Sequence, residues 1–297
     1  MKTLSLATAL LFGFIPPALA NIDIQFDWTY DGGYFSGTNA SHRDALAAAA
    51  AVFETRLTDT LGAIDSNANG EFDTVFTNPA SPGTTITRSN QSIDTDVIRV
   101  YVGGYNTDDS SLGLGGPGGY QCSGIACTEA DRGQDSTTDF GPWGGTITFN
   151  FFSSNDWNYS VASGPSADQY DLYSVALHEL GHVLGFGTSD SFAAHVSHGQ
   201  FSGVATGTVN LDTEDAHWAD GTMSTVAGVA QEAAMTPYLG MGQRRYFTDL
   251  DFAALSDIGW QVAAVPEADT WAMFVAGLGL IGLVVRRRRP SPPCHRS

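Results

Sequence analysis

Lysine is nearly missing from this 297-residue chain, with Lys2 as its single instance. Between residues 21 and 265 there are 7 Arg, no Lys and 30 Asp plus Glu, a net charge of −23. A surface of that sign excludes nucleic acid and anionic lipid as partners of the folded part. It suits solubility outside the cell and is compatible with bound Ca²⁺. Cysteine is also scarce. Cys122 and Cys127 share the glycine-rich stretch CSGIAC, too few and too isolated for a structural zinc site. In an oxidising compartment they read as a local disulfide. Cys294 lies beyond the basic tail and does not meet them. Internal repeats are absent. Aromatic and aliphatic residues are plentiful, which excludes disorder by composition.

Long apolar runs are confined to the two ends. Met1 to Ala20 has the form of a secretory signal peptide: Lys2, an apolar run from Leu4 to Ile15, and Ala18-Leu19-Ala20 for cleavage. Trp271 to Val285 is 15 residues without a charge, followed by Arg286 to Arg289. As a helix it reaches only about 22 Å, against about 30 Å of hydrocarbon. The arginines belong on the cytoplasmic side, which places the rest of the chain outside. A buried core helix is the alternative.

This end, Val265-Pro266-Glu267-Ala268 followed by TWAMFVAGLGLIGLVVRRRR, resembles the PEP-CTERM sorting signal, with Ala268 at the place of the second proline. The resemblance implies processing by exosortase-type machinery in a Gram-negative envelope, and membrane contact only through the C-terminal helix. The expected organisation is a signal peptide over 1–20, a folded region over 21–265 and a sorting signal over 266–297.

Within the folded region, Asn21 to Trp28 alternates as a strand does, and Ser41 to Leu61 has helical spacing after Thr38-Asn39 as capping residues. Asp94 to Val102 and Thr146 to Phe152 read as further strands. The Gly-, Asp- and Ser-rich stretch 103–145 reads as one long irregular, functional loop. Asp65, Asn67, Asn69 and Gly70 begin like a calcium loop, but Phe76 stands where its bidentate Glu belongs, so a tight Asn/Gly turn is the better reading.

DLYSVALHELGHVLGFG, residues 171–187, carries the chemistry. Asp171 caps a helix on which His178 and His182, four residues apart, lie about 40° apart on one face. Two neutral imidazoles so placed hold one Zn²⁺ at about 2.0–2.1 Å each. Glu179 flanks the pair, where it can act as general base on an attacking water without ligating the metal. This HExxH pattern is a recognised zinc-protease motif. Catalytic zinc needs a third protein ligand and an open fourth position.

The segment resembles the metzincin signature HExxHxxGxxH as far as Gly185, a glycine that lets the chain turn after the helix. Thr188 stands where the final histidine belongs, which excludes a compact third ligand. Leishmanolysin-like peptidases carry an insertion there, and the downstream pieces are similar to theirs: His217-Trp218, Ala234-Met235-Thr236-Pro237 and TDLDFAALSDIGW over 248–260. The resemblance implies His217 as third ligand, Met235 in a turn under the metal and a closing helix from Thr248. By residue type alone His195, His198, Asp212, Glu214 and Asp215 compete for the third position. It also implies an α+β, zincin-like fold: a twisted mixed sheet, an active-site helix and a smaller C-terminal subdomain (188–265) across a cleft from the N-terminal one (21–187). The function expected is a secreted or envelope-anchored zinc endopeptidase acting on protein or peptide. The alternative is a non-catalytic surface or matrix protein with a structural metal site.

Overall fold

The computed structural model describes residues 22–67, 69–108, 110–133, 139–152 and 156–264. In chain order its elements are β1 (Asp23–Asp27), α1 (Arg43–Glu54), β2 (Phe72–Thr77), β3 (Thr85–Arg88), β4 (Val97–Tyr105), β5 (Gly113–Pro117), β6 (Gly119–Cys122), α2 (Ala126–Ala130) and β7 (Gly144–Asn150). There follow β8 (Trp157–Asn158), β9 (Tyr170–Asp171), α3 (Leu172–Val183), α4 (Asp190–Ala194), β10 (Val196–Ser197), β11 (Gln200–Gly203), β12 (Gly207–Asn210), β13 (Met223–Val226), β14 (Val229–Glu232) and α5 (Asp249–Asp257). The class is α+β.

A mixed sheet in the order β1-β4-β7-β5 organises the N-terminal part. β1, β4 and β7 run parallel, while β5 closes one edge antiparallel to β7, with Gly113 opposite Phe149 and Pro117 opposite Gly145. Alternation along β4 divides its side chains between two cores. Ile98, Val100 and Val102 join the larger one, with α1 and α3, and Val97 and Tyr101 join a smaller one, with Phe72, Phe76 and Trp143. The larger core continues past residue 188 through Phe192, Phe201, Trp218 and Met235 to Trp260. The two expected subdomains therefore share one apolar interior. Small antiparallel sheets, β10-β11-β12 and β13-β14, complete the C-terminal part.

Several expected elements move. The first helix does not use Thr38-Asn39 as caps. Residues 37–42 form a 3-10 turn and α1 begins at Arg43 without a side-chain cap. It also ends at Glu54, before the expected Leu61. Thr55 bonds back through its hydroxyl to the Ala51 carbonyl, and Leu57 and Thr58 then pair with Val262 and Gln261. The strand expected over 94–102 lies three residues later, because Asp94 and Asp96 turn the chain: Val97 N–H bonds back to Asp94, and the Asp96 carboxylate accepts the Leu61 N–H. Residues 103–145 are not one loop, since they contain β5, β6 and α2. β6 and α2 are joined by the Cys122–Cys127 disulfide. Asn67 and Gly70 exchange both backbone hydrogen bonds, a tight turn as expected. Among the described residues no helix is long and apolar enough to cross a membrane. The expected signal peptide and the C-terminal apolar stretch lie outside those residues.

Candidate metal centre

α3 forms where the sequence places it. The Asp171 carboxylate accepts the Ser174 N–H and hydroxyl, satisfying a free donor of the first turn, and Arg244 binds both its oxygens at 2.8 and 2.9 Å. The helix is buried along nearly all its length, which its apolar composition requires. It ends as Gly185 takes φ +100, a conformation that favours glycine, and a Cβ there would lie 2.5 Å from the Phe140 ring. The Trp260 indole N–H then caps the Leu184 carbonyl.

From this helix His178 and His182 project to one side, with their Nε2 atoms 3.1 Å apart. His217 arrives from the loop after β12, its Nε2 3.1 Å from that of His182. Each Nδ1 faces an acceptor: the Ala234 carbonyl at 2.8 Å for His178, the Phe186 carbonyl at 2.8 Å for His182, and the Asp212 carboxylate at 3.0 Å for His217. In a neutral ring such an acceptor draws the proton to Nδ1 and leaves Nε2 free to bind. The three Nε2 atoms converge, and lone pairs at that spacing would repel without a cation between them. Tetrahedral zinc–nitrogen bonds put neighbouring nitrogens about 3.3 Å apart, so the donor set fits such an ion. Burial and the neighbouring imidazoles hold His178 well below the usual histidine range, and burial takes His182 down to about 4. Both rings are neutral, as metal binding demands.

Among the described residues these three imidazoles form the sole group of three or more His, Cys, Asp or Glu able to share an ion. The competing candidates are not brought in. His195 faces the Ser202 carbonyl and stacks on Phe201, while His198 turns to Ser197. Asp212 does not join the cluster but stands behind His217, also accepting the N–H groups of Glu214, Ala216 and His217. Thr188 gives its hydroxyl to the His182 carbonyl.

Met235 is fully buried against α3. Its sulfur lies 2.5 Å from where a Cβ on Gly181 would sit, so the glycine inside HELGH leaves room for it. Asp251, which sequence reasoning passed over, ties the separate downstream pieces together. Its buried carboxylate accepts from the Trp218 indole, from the N–H groups of Ala234 and Met235, and from the Thr248 N–H and hydroxyl. One signal could have found it: Thr248 and Asp251 are spaced as a capping box, and both halves of that box form.

Glu179 lies beside the imidazoles beneath β5. Burial pushes its carboxyl up to about 8, against a hydrogen bond from the Gly115 N–H that favours the charged form. The contact explains the glycines of β5. A Cβ on Gly113 would stand 2.6 Å from the Glu179 carboxylate, and one on Gly115 would stand 2.5 Å from its carbonyl oxygen. The His and Glu side chains open into a cleft of about 510 Å³, walled by β5 on one side and by Thr236 to Leu239 on the other.

Comparison with known proteins agrees with this geometry at the level of class. Residues 125–222 match the matrixin family model, a stretch of less than half the chain that contains all three histidines and Glu179. Residues 264–289 match the model of the PEP-CTERM protein-sorting motif. No curated protein and no solved structure gives a significant match. The first match points to a matrixin-type zinc metallopeptidase domain, and the second to export and sorting in a Gram-negative bacterium.

Proposed function

We propose that the protein is an exported zinc endopeptidase with a leishmanolysin-like arrangement. His178, His182 and His217 hold the metal, and Glu179 is the general base. The observation that carries this reading is the convergence of three imidazole Nε2 atoms at the floor of an open cleft beside a buried carboxylate. The leishmanolysin-like form is favoured because the third imidazole comes from a point 35 residues beyond His182, across an insertion, rather than from position 188. Gly185 serves the turn that ends the helix, and Met235 packs under it.

Zinc in this position would polarise a scissile carbonyl, bring the pKa of an attacking water from about 15.7 toward 7 and favour the charged form of Glu179. Glu179 takes the proton from that water and passes it to the leaving nitrogen. The Gly115 N–H orients the carboxylate for the exchange. As the edge strand of its sheet, β5 can pair with an extended peptide backbone. A structural metal site, the non-catalytic alternative, closes its ion with four protein ligands, whereas three converge among the described residues. The sorting motif implies handling by exosortase-type machinery, with the product retained in the envelope or released.

The test is Glu179→Gln. The variant should bind one zinc per chain as the wild type does and cleave casein at least about 100-fold more slowly. Wild-type cleavage should stop with a chelator and return with zinc. Casein cleavage by the variant at the wild-type rate would remove Glu179 from its role.

A further inference from the structure

From the imidazoles the cleft extends along the first turns of α3, past Val175 and Ser174, and reaches Arg245. Arg245 is the one Arg or Lys among the described residues lining it, in a chain otherwise strongly acidic. Its backbone is fixed to α3, since its N–H donates to the Ser174 hydroxyl at 2.8 Å. Its side chain is 11% exposed. The guanidinium reaches across to Thr236, Glu232 and Gln243, contacts that occupy three of its five N–H donors. Glu232, the counter-ion, does not line the cleft. Arg245 is the cationic group of this recess, among apolar walls from Val175, Pro237 and Leu239 and the hydroxyl residues Ser174 and Thr236.

We infer that Arg245 makes this recess a site for an acidic side chain flanking the scissile bond, so that the enzyme cuts beside Asp or Glu and disfavours Lys and Arg. The inference rests on the peptidase reading above. A carboxylate arriving on the guanidinium gains a charge-assisted hydrogen bond from a donor still free, in a partly desolvated site. A cationic side chain would meet a like charge there. The net charge of the whole domain acts the other way, repelling acidic peptides at long range, but salt screens that field while the contact at Arg245 survives.

The zinc-loaded protein is given a peptide library in about 1 M NaCl, where the screening length falls to roughly 3 Å. Both new termini of every product are identified by mass spectrometry, so either side of the cut can report. The wild type should favour Asp and Glu over Lys and Arg on the order of tenfold at one position next to the cut. Arg245→Gln should abolish that preference. Glu232→Gln, which removes the counter-ion without entering the cleft, should increase it several-fold. If Arg245→Gln does not fold, as judged by its zinc content and thermal melt, Glu232→Gln and the wild-type profile decide. An unchanged profile in the folded variants, or a wild type indifferent to charge at both flanking positions, overturns the inference alone. A wild type that holds zinc and cuts no peptide removes the peptidase reading and this inference with it.

Discussion

His178 and His182 stand on one turn of a buried helix whose caps and turn lie within a few residues of it, whereas His217 stands in a loop held from far along the chain. On the helix side, four-residue spacing aligns the two rings between Asp171 at the start and Gly185 at the end, with the Ala234 carbonyl meeting His178 from farther off. On the loop side Asp212 holds the ring locally, but the contacts that carry the loop toward α3 come from far along the chain. Trp218 N–H bonds to the Met235 carbonyl, the Trp218 indole to Asp251, and Asp251 in turn to the turn at Ala234-Met235 and the start of α5. Half of the centre is thus made by helix periodicity, and the other half by one buried carboxylate joining three distant segments. The two halves should fail differently.

The largest difference is expected at Asp251. Replacing it by alanine leaves the Trp218 indole and the N–H groups of Ala234, Met235 and Thr248 without their acceptor in a site closed to water. Buried donors stripped of their acceptor cost on the order of 3–5 kcal/mol in all. Asp251→Ala should therefore lower the unfolding free energy by that amount, read from the denaturant midpoint, and lose zinc, while the far-UV helical signal persists below the transition. A variant as stable as the wild type and fully loaded with zinc would show that the loop half is held by something else.

The same contrast governs how much could be read beforehand. α3, its two histidines and Glu179 follow from spacing, because a helix fixes which side chains share a face. His217 was legible only through a resemblance, with His195, His198 and three acidic residues standing equal to it by residue type. Asp212 shows why: a carboxylate five residues from a histidine reads as a ligand as readily as it reads as the ligand's support, and only distance separates the two. β5 was invisible for another reason. Its glycines have no strand propensity, and the sequence spells a loop, yet Gly113 and Gly115 are small because Glu179 passes beneath them. The α1 boundary and the register of β4 were missed by a few residues because Leu57 and Asp96 answer to partners at Val262 and Leu61.

A methyl group placed on β5 tests the helix side without touching a ligand. In Gly115→Ala the new Cβ would stand 2.5 Å from the Glu179 carbonyl oxygen and 2.9 Å from its Cα, so strand and helix must move apart. A shift of under an ångström at the base costs up to about 100-fold in turnover. The variant should keep its zinc and lose roughly that much in kcat. Gly116→Ala is the control, since a Cβ there meets nothing within 4 Å. Equal rates for the two variants would break the proposed dependence of Glu179 on β5.

The smallest effect is expected at Asp212, and it belongs to the loop side. The carboxylate accepts the His217 Nδ1–H at 3.0 Å and three backbone N–H groups of its own loop. Burial raises its pKa, but those hydrogen bonds, that of His217 foremost, bring it net below the usual carboxylate value. It therefore stays charged at neutral pH, fixing the His217 tautomer and adding to the basicity of its Nε2. Asp212→Asn keeps the size of the side chain and removes the charge. The amide can still accept the Nδ1 proton through its oxygen, so the ring need not turn away. Zinc affinity should fall by about 10–100-fold in competition with a chromophoric chelator. At saturating zinc kcat should change little, because Glu179 and the α3 pair are untouched. If affinity is unchanged, Asp212 is only a loop staple. If kcat collapses at full zinc occupancy, the two halves of the centre are coupled more tightly than their separate supports imply.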